Sequence, residues 1–268
     1  MLALAQTQSV IDMLQEKNPF DSFEVVIITT TGDKDTTTAL DKIGSKGLFV
    51  DEIEDRLLSK DIDLAVHSMK DMPEACARGL IFSKAIKRED PRDVLILRQE
   101  KNLDQLKEGA IIGTGSKRRA FQLKRLRPDI EIVGLRGNVD TRIKKLHEPM
   151  ADGRYMDGII LAAAGLKRLG RENEISQYFS IEEMIPSPAQ GILAIELRED
   201  NTELLTKLNA IADNDTERQA QAERAFLKEV GADCHLPVGA YLDLQQGFFY
   251  SLFGDADGLN LEIKKTRV

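Results

Sequence analysis

Short apolar runs of strand length recur along this chain, and segments of helical period separate them. "FEVVIIT" (Phe23 to Thr29), "IDLAVHS", "LIFSKAIK", "DVLILR", "AIIGT", "IEIVGL", "DGIILAAAG" and "ILAIELRE" read as strands. "QTQSVIDMLQEK", "GLFVDEIEDRLLSK", "SKRRAFQLKRL", "NVDTRIKKLHE", "NTELLTKLNAIAD" and "TERQAQAERAFLKEVGA" read as helices. In the second of these, Phe49, Ile53 and Leu57 share one face. Apolar runs joined by helices predict βαβ units and mostly parallel sheets. Two segments interrupt the alternation, the charged turn "REDPRD" and "PSPAQG" at 186–191. The tail differs: three strands joined by Gln-Gln-Gly and Asp-Ala-Asp-Gly turns read as an antiparallel meander. The expectation is α/β: two α/β domains, then a small α+β domain with an antiparallel three-stranded sheet.

Composition narrows the function classes. The 268 residues suffice for two domains, or three small ones, with 42% apolar and 31% charged residues, as in soluble globular proteins. No apolar run approaches the roughly 20 residues of a membrane helix. The N-terminus "MLALAQTQSVIDML" has no basic lead and no small-residue cleavage site, so it reads as an amphipathic helix and the chain is expected in the cytoplasm. A net charge of −8 argues against nucleic-acid binding and makes any local arginine cluster informative. The two cysteines, Cys76 and Cys234, form no disulfide framework. With three histidines and no Cys/His spacing for zinc, no metal site is expected.

The stretch "DLAVHSMKDMPE" begins as a buried strand and stops on His67, Ser68, Lys70 and Asp71. A carboxylate there could stabilise a developing cation or move a proton. The plainer reading is an ion pair with Lys70 or a nearby arginine. In "GTGSKRRAFQL" a strand ends at Gly113-Thr114 and a helix opens near Ser116. Free N–H groups at the helix start, two hydroxyls and the forks of Arg118 and Arg119 suit carboxylates or phosphates. The loop lacks Walker A spacing. Cations in a first turn oppose the helix macrodipole, so the pair of arginines needs a cause. "GLRGNVDTR" repeats the theme with Arg136, Gly137, the cap residue Asn138 and Arg142. "AAGLKRLG" adds Lys167 and Arg168. Three consecutive strand ends thus deliver arginines, and open α/β sheets bind ligands outside the carboxyl ends of their strands. "KIGSKGLFVDEIE" holds Lys42, Lys46 and Phe49 in a glycine-bearing loop, a cationic lid or simply a hinge with solvated lysines. Cys234 in "VGADCHLPVG" is a nucleophile or attachment point, or an ordinary free thiol.

Taken together, "HSMKDMP", "GTGSKRRAFQL", "LRGNVDTR", "AAGLKRLG", "PSPAQGILAIE", "AERAFL" and "DCHLPVGAY" resemble the porphobilinogen deaminase (hydroxymethylbilane synthase) family, in the family's order and from about Leu2 onward. The resemblance implies two doubly wound lobes like those of periplasmic binding proteins plus the small third domain. It assigns 1–86 and 192–210 to domain 1, 92–185 to domain 2 and 214–268 to domain 3. It implies a dipyrromethane cofactor bound as a thioether to Cys234 and made from the enzyme's own substrate. Four porphobilinogen units are then joined head to tail, each losing ammonia through an azafulvene-like cation, before water releases hydroxymethylbilane.

Residue by residue, Asp71 matches the catalytic aspartate. Ser68, Lys70, Asp33, Ser116, Arg118, Arg119, Arg136, Arg142, Arg168 and Gln190 match residues around the cofactor and the growing chain, whose acetates and propionates call for arginines. Lys42, Lys46 and Phe49 match the mobile loop. The resemblance also implies a monomer, no nucleic-acid or membrane partner, and a product passed to uroporphyrinogen-III synthase. This sequence begins just beyond the arginine and serine of the family's "TRxSxLA" motif, stops short of the family's last helix, and has threonine before Gly32-Asp33 where many relatives have arginine. Those departures leave a non-catalytic truncated relative as another reading, and the two lobes leave a polycarboxylate-binding protein, against which Asp71 and Cys234 speak.

Overall fold

The structure is a computed structural model, described for residues 1–28, 50–73, 76–231, 236–258 and 260–268. The chain divides into two compact units, Met1–Arg88 with Ile192–Gln221, and Glu89–Gly191 with Ala222–Val268.

The first unit contains α1 (Leu2–Lys17), α2 (Asp51–Leu58), β1 (Leu64–Ser68), β2 (Leu80–Phe82), β8 (Leu193–Arg198) and α6 (Thr202–Asn209). Its sheet runs β1-β8-β2. Every residue of β8 is buried, because helices close both faces of the sheet. Side chains alternate between faces along a strand. Leu193, Ile195 and Leu197 accordingly pack with Leu64, Val66 and the α1 residues Val10 and Leu14. On the opposite face Ala65 meets Leu57 of α2 and Leu80.

Two expectations need correction here. Both strand pairs of this sheet are antiparallel, not parallel. β8 is reached from the far end of the chain rather than by a helical crossover from β1, so no βαβ unit imposes parallel pairing here. Residues 23–28 of "FEVVIIT" form no strand. An extended run becomes a strand only when a ladder partner adjoins it, and β1 pairs with β8 alone among the described strands. Phe23 still packs into the α1 core. Val25, Val26 and Ile27 are 42%, 52% and 72% exposed. "LIFSKAIK" is also shorter than expected, pairing through Leu80–Phe82 and then only through an Ile86–Ala212 bridge.

The second unit contains β3 (Asp93–Leu97), β4 (Ile111–Gly113), α3 (Lys117–Leu126), β5 (Glu131–Val133), α4 (Val139–Leu146), β6 (Gly158–Ala162), α5 (Ala163–Arg168) and β7 (Gln177–Tyr178). The sheet order is β5-β4-β6-β3-β7. β4 is parallel to β5 and β6, whereas β3 is antiparallel to β6 and β7. Alternate residues of β3 and β6 feed two separate cores, one with Val94, Ile96, Ile159 and Leu161, the other with Leu95, Leu97 and Ile160. The sheet is thus covered on both faces. α7 (Asn214–Glu229) begins among residues of the first unit and ends among those of the second. After it come β9 (Val238–Asp243), β10 (Phe248–Phe253) and β11 (Glu262–Arg267), an antiparallel meander in the order β11-β10-β9, as the turn residues predict.

Helix starts follow their cap residues. The Asn138 side-chain oxygen accepts the Thr141 N–H at 2.8 Å, Asp140 sits in the first turn of α4 and Lys144 and Lys145 in the last. Asn138→Ala should therefore cost about 1 kcal/mol, read as a lower urea midpoint with an unchanged slope.

Candidate active site

β1 ends at Ser68, and the single 3-10 turn Met69–Asp71 follows it. The Met69 N–H donates to Ile192 O at 3.0 Å and the Met72 N–H to Met69 O at 3.1 Å, so the turn is anchored to the start of β8. Ser68 Oγ accepts a hydrogen bond from Gln6 Nε2 of α1 at 2.9 Å. Lys70 is half-buried and Asp71 exposed. No hydrogen bond or ion pair ties the Asp71 carboxylate to another described residue. It therefore stands open to solvent at the end of a well-anchored strand.

In the second unit β5, β4 and β6 are parallel neighbours, so their carboxyl ends lie along one edge of the sheet. Residues 114–119 leave β4, 134–142 leave β5 and 163–168 leave β6 at that edge. Ser116 caps α3, its Oγ accepting the Arg119 N–H at 3.5 Å, and Thr114 Oγ1 accepts the Ser116 N–H at 3.2 Å. Arg136 is exposed. Gly137 has φ +115, and a Cβ there would meet the Thr141 side chain at 2.7 Å, so this turn requires glycine. Arg142 Nε donates to Gly137 O at 2.6 Å. Arg168, in the last turn of α5, donates from Nη2 to Gly191 O at 2.7 Å. Burial pushes the Arg168 guanidinium down, opposed by Glu89.

Arg118 and Arg119 lie differently. They are 4% and 5% exposed and turn inward to Asp93, the first residue of β3. Arg118 Nη1 donates to Asp93 Oδ2 at 2.6 Å and to Ile185 O at 2.6 Å. Arg119 donates from Nε and Nη2 to Asp93 Oδ1 at 3.0 and 2.8 Å, and from Nη1 to Ile160 O at 3.2 Å. Gln190, fully buried, donates to the same Oδ1 at 3.0 Å and to Pro91 O at 2.7 Å. Burial alone would push the Asp93 carboxyl up, but the two guanidiniums overcome it and hold it far below the usual carboxylate range.

The first-turn arginines thus have their cause in a carboxylate that sequence reasoning missed. Its signal was an aspartate opening a wholly apolar run, "DVLIL". One buried carboxylate faces two guanidiniums, so the cluster carries one surplus positive charge beside the edge where Ser116, Arg136 and Arg168 emerge. The positions Asp33, Lys42, Lys46, Phe49 and Cys234 lie outside the described residues.

The family model described as "Porphobilinogen deaminase, dipyromethane cofactor binding domain" matches residues 1–206. This chain belongs to the porphobilinogen deaminase family. A porphobilinogen deaminase from Lachnospira eligens is 59% identical over 240 residues, covering 90% of this chain and 80% of the relative. One from Clostridioides difficile is 51% identical over 266 residues, covering 98% and 87%. Among solved structures, the chain is similar to the methionine binding protein MetQ, with a TM-score of 0.44 and 12% identity over 82% of this chain and 91% of that one. It is also similar to the BvgS periplasmic VFT2 domain of Bordetella pertussis, with a TM-score of 0.42 and 18% identity over 81% and 82%. No helix among the described residues is long and apolar enough to cross a membrane. The donor set at the sheet edge suits the dipyrromethane of porphobilinogen deaminases, because that group carries carboxylates and the edge offers guanidiniums around a cluster with surplus positive charge.

Proposed function

We propose that this chain is a transferase that joins four porphobilinogen units head to tail, with loss of ammonia, onto a dipyrromethane held as a thioether by Cys234, and that water then cleaves the four-unit chain from the dipyrromethane as hydroxymethylbilane. The observation that carries the reading is Asp71, an exposed carboxylate with no partner among the described residues, set on an anchored strand end in a chain of this family. Simple capture of an anion gains nothing from such a group. The bound dipyrromethane supplies the pyrrole carbon to which the first incoming unit is joined.

Asp71 accepts the pyrrole N–H of the incoming porphobilinogen and offsets the positive charge that grows as its C–N bond to ammonia breaks. Arg136, Arg142 and Arg168 take the acetate and propionate groups, and Arg119 adds its share through the surplus charge of the Asp93 cluster. Ser68, Lys70 and Ser116 supply further polar contacts, and Arg118 and Gln190 hold the Asp93 cluster in place. The family resemblance assigns Asp33, Lys42, Lys46 and Phe49 to cofactor and substrate binding as well. The protein acts in the cytoplasm as a monomer and hands its product to uroporphyrinogen-III synthase.

The denatured intact mass of the purified chain tests this, with Cys234→Ser as control. A covalent excess of two porphobilinogen-derived rings is expected in the parent and not in the control. A bare mass that persists after incubation with porphobilinogen would overturn the reading. Arg119→Leu is expected to fold, because Asp93 keeps Arg118 and Gln190. It strips the surplus charge, so porphobilinogen turnover should fall roughly 10- to 100-fold, the worth of one charge-assisted contact. Product formation under saturating substrate checks it.

A further inference from the structure

Another buried carboxylate has no part in the chemistry above. Glu196 lies at the middle of β8, opposite Ala65 of β1 and Phe82 of β2, and is fully buried. Its Oε2 is 3.2 Å from His67 Nε2. Its Oε1 is enclosed and accepts no hydrogen bond in ordinary geometry. Taking a carboxyl group out of water is costly, and a half-satisfied one is retained only for a reason. Arg198, next on the same face of β8, does not neutralise it. The Arg198 guanidinium is spent on Leu57 O, Ile62 O and Asp63 Oδ1. Glu54 of α2 approaches instead, and burial first and the Glu196 carboxylate second push the Glu54 carboxyl up. Packing offers no reason for an acid here, since Leu57, Ala65 and Leu80 make this face apolar.

The reason is legible in what His67 adjoins. It is the last residue but one of β1, and the turn carrying Asp71 begins two residues later. Strand alternation sends His67 and Ser68 to opposite faces of the sheet. Ser68 is held by Gln6 on the α1 face, and His67 by Glu196 on the α2 face. The strand end is clamped from both sides just before the chain turns out to Asp71.

We propose that Glu196 is a positioning residue for the Asp71 turn: its buried carboxylate takes the Nε2–H of His67 and, with the Gln6–Ser68 bond, fixes the direction in which Asp71 is delivered. The proposal rests on the role given to Asp71 above. Glu196 touches no substrate and acts only through His67.

The test compares Glu196→Gln, which keeps an acceptor for the imidazole N–H, with Glu196→Leu, which keeps the bulk and loses the acceptor. Misplacing a reacting group by about an ångström costs on the order of 100-fold. Glu196→Leu is therefore expected to lower kcat about 10- to 100-fold with KM little changed, and Glu196→Gln to restore most of it. The mirrored pair His67→Gln and His67→Leu, of which only the first can donate to Glu196, is expected to divide the same way and serves if Glu196→Leu does not fold. Imidazole resonances of the otherwise intact protein add a readout independent of turnover. A slowly exchanging His67 Nε2–H is expected in the parent and in Glu196→Gln, and its loss in Glu196→Leu.

Equal kcat in the Gln and Leu members of both pairs would overturn the proposal, as would a loss confined to KM. A parent without porphobilinogen turnover would sink the functional reading instead. The imidazole signal would then decide the clamp by itself, and a rapidly exchanging His67 N–H in the parent would sink that too.

Discussion

Asp71→Ala folds and melts as the parent does, and loses porphobilinogen turnover by about 10²- to 10³-fold, the usual cost of removing a group aimed at developing charge. Unchanged folding follows from the structure. Asp71 is exposed, and the turn is held by Met69 N–H to Ile192 O and by Ser68 to Gln6, none of which uses its carboxylate. Surface substitutions of this kind shift stability by no more than about 0.5 kcal/mol. The loss should appear mainly in kcat, because the charge that Asp71 offsets grows only as ammonia departs, with a smaller rise in KM from the lost bond to the pyrrole N–H. Asp71→Asn keeps the hydrogen-bond acceptor and removes the charge, so it should stay nearly as impaired as the alanine variant. Steady-state rates of both variants beside their melting temperatures check this, and retained turnover would remove Asp71 from the chemistry.

Asp93→Leu has the opposite signature, a large loss of stability. It leaves Arg118 and Arg119 buried without their carboxylate, and breaking a buried pair costs about 3–5 kcal/mol. At roughly 2–4 °C per kcal/mol for a unit of this size, the melting temperature should fall by about 6–20 °C. The parent's acid profile carries the matching sign. The Asp93 carboxyl lies lower in the folded protein than in the unfolded chain, where aspartate titrates near 3.9. Below that value the unfolded chain binds the proton more readily, so stability falls with acid. The Asp93 contribution is fully present above about pH 5 and fades as the pH drops below about 4 toward the depressed folded-state value. Melting curves from acid to neutral pH should show that slope in the parent and a flatter one in Asp93→Leu. An equal slope in both would assign the acid sensitivity to other carboxylates.

Much of the fold was legible because its signals are local. Ser116 and Asn138 announce their helices through side-chain caps, and Gln-Gln-Gly marks the β9–β10 turn. Periodicity also located β3, β6 and β8, whose burial is continuous or nearly so. What failed depends on partners distant in sequence. Apolar alternation cannot say whether "FEVVIIT" finds a ladder, nor that β8 returns to run against β1 and β2. The site divides in the same way. That Arg118 and Arg136 follow strand ends is a local fact, and parallel pairing of β4 with β5 puts those ends on one edge. Whether each guanidinium points to solvent or inward depends on Asp93, 25 and 26 residues before the two arginines it binds. Glu196 was hidden likewise: one acid in "ILAIELRE" looks like the solvent side of an alternating strand until both faces of the sheet prove to be covered.

The place of β8 between β1 and β2 also bears on how the chain is made. Leu64 pairs with Leu197, and nothing nearer in sequence fills that position between β1 and β2. A ribosome adding about 5–20 residues each second needs on the order of ten seconds to travel from one to the other. During that interval β1 and β2 have no common neighbour, and their apolar face waits on residues still to be synthesised. The strands of the five-stranded sheet all lie within 93–178, so the last of them is made about 1–3 s before β8 begins. The nascent protein therefore passes through a stage in which the arginine-bearing sheet is formed and the aspartate-bearing one is open, the period when it is most exposed to chaperones, proteases and aggregation.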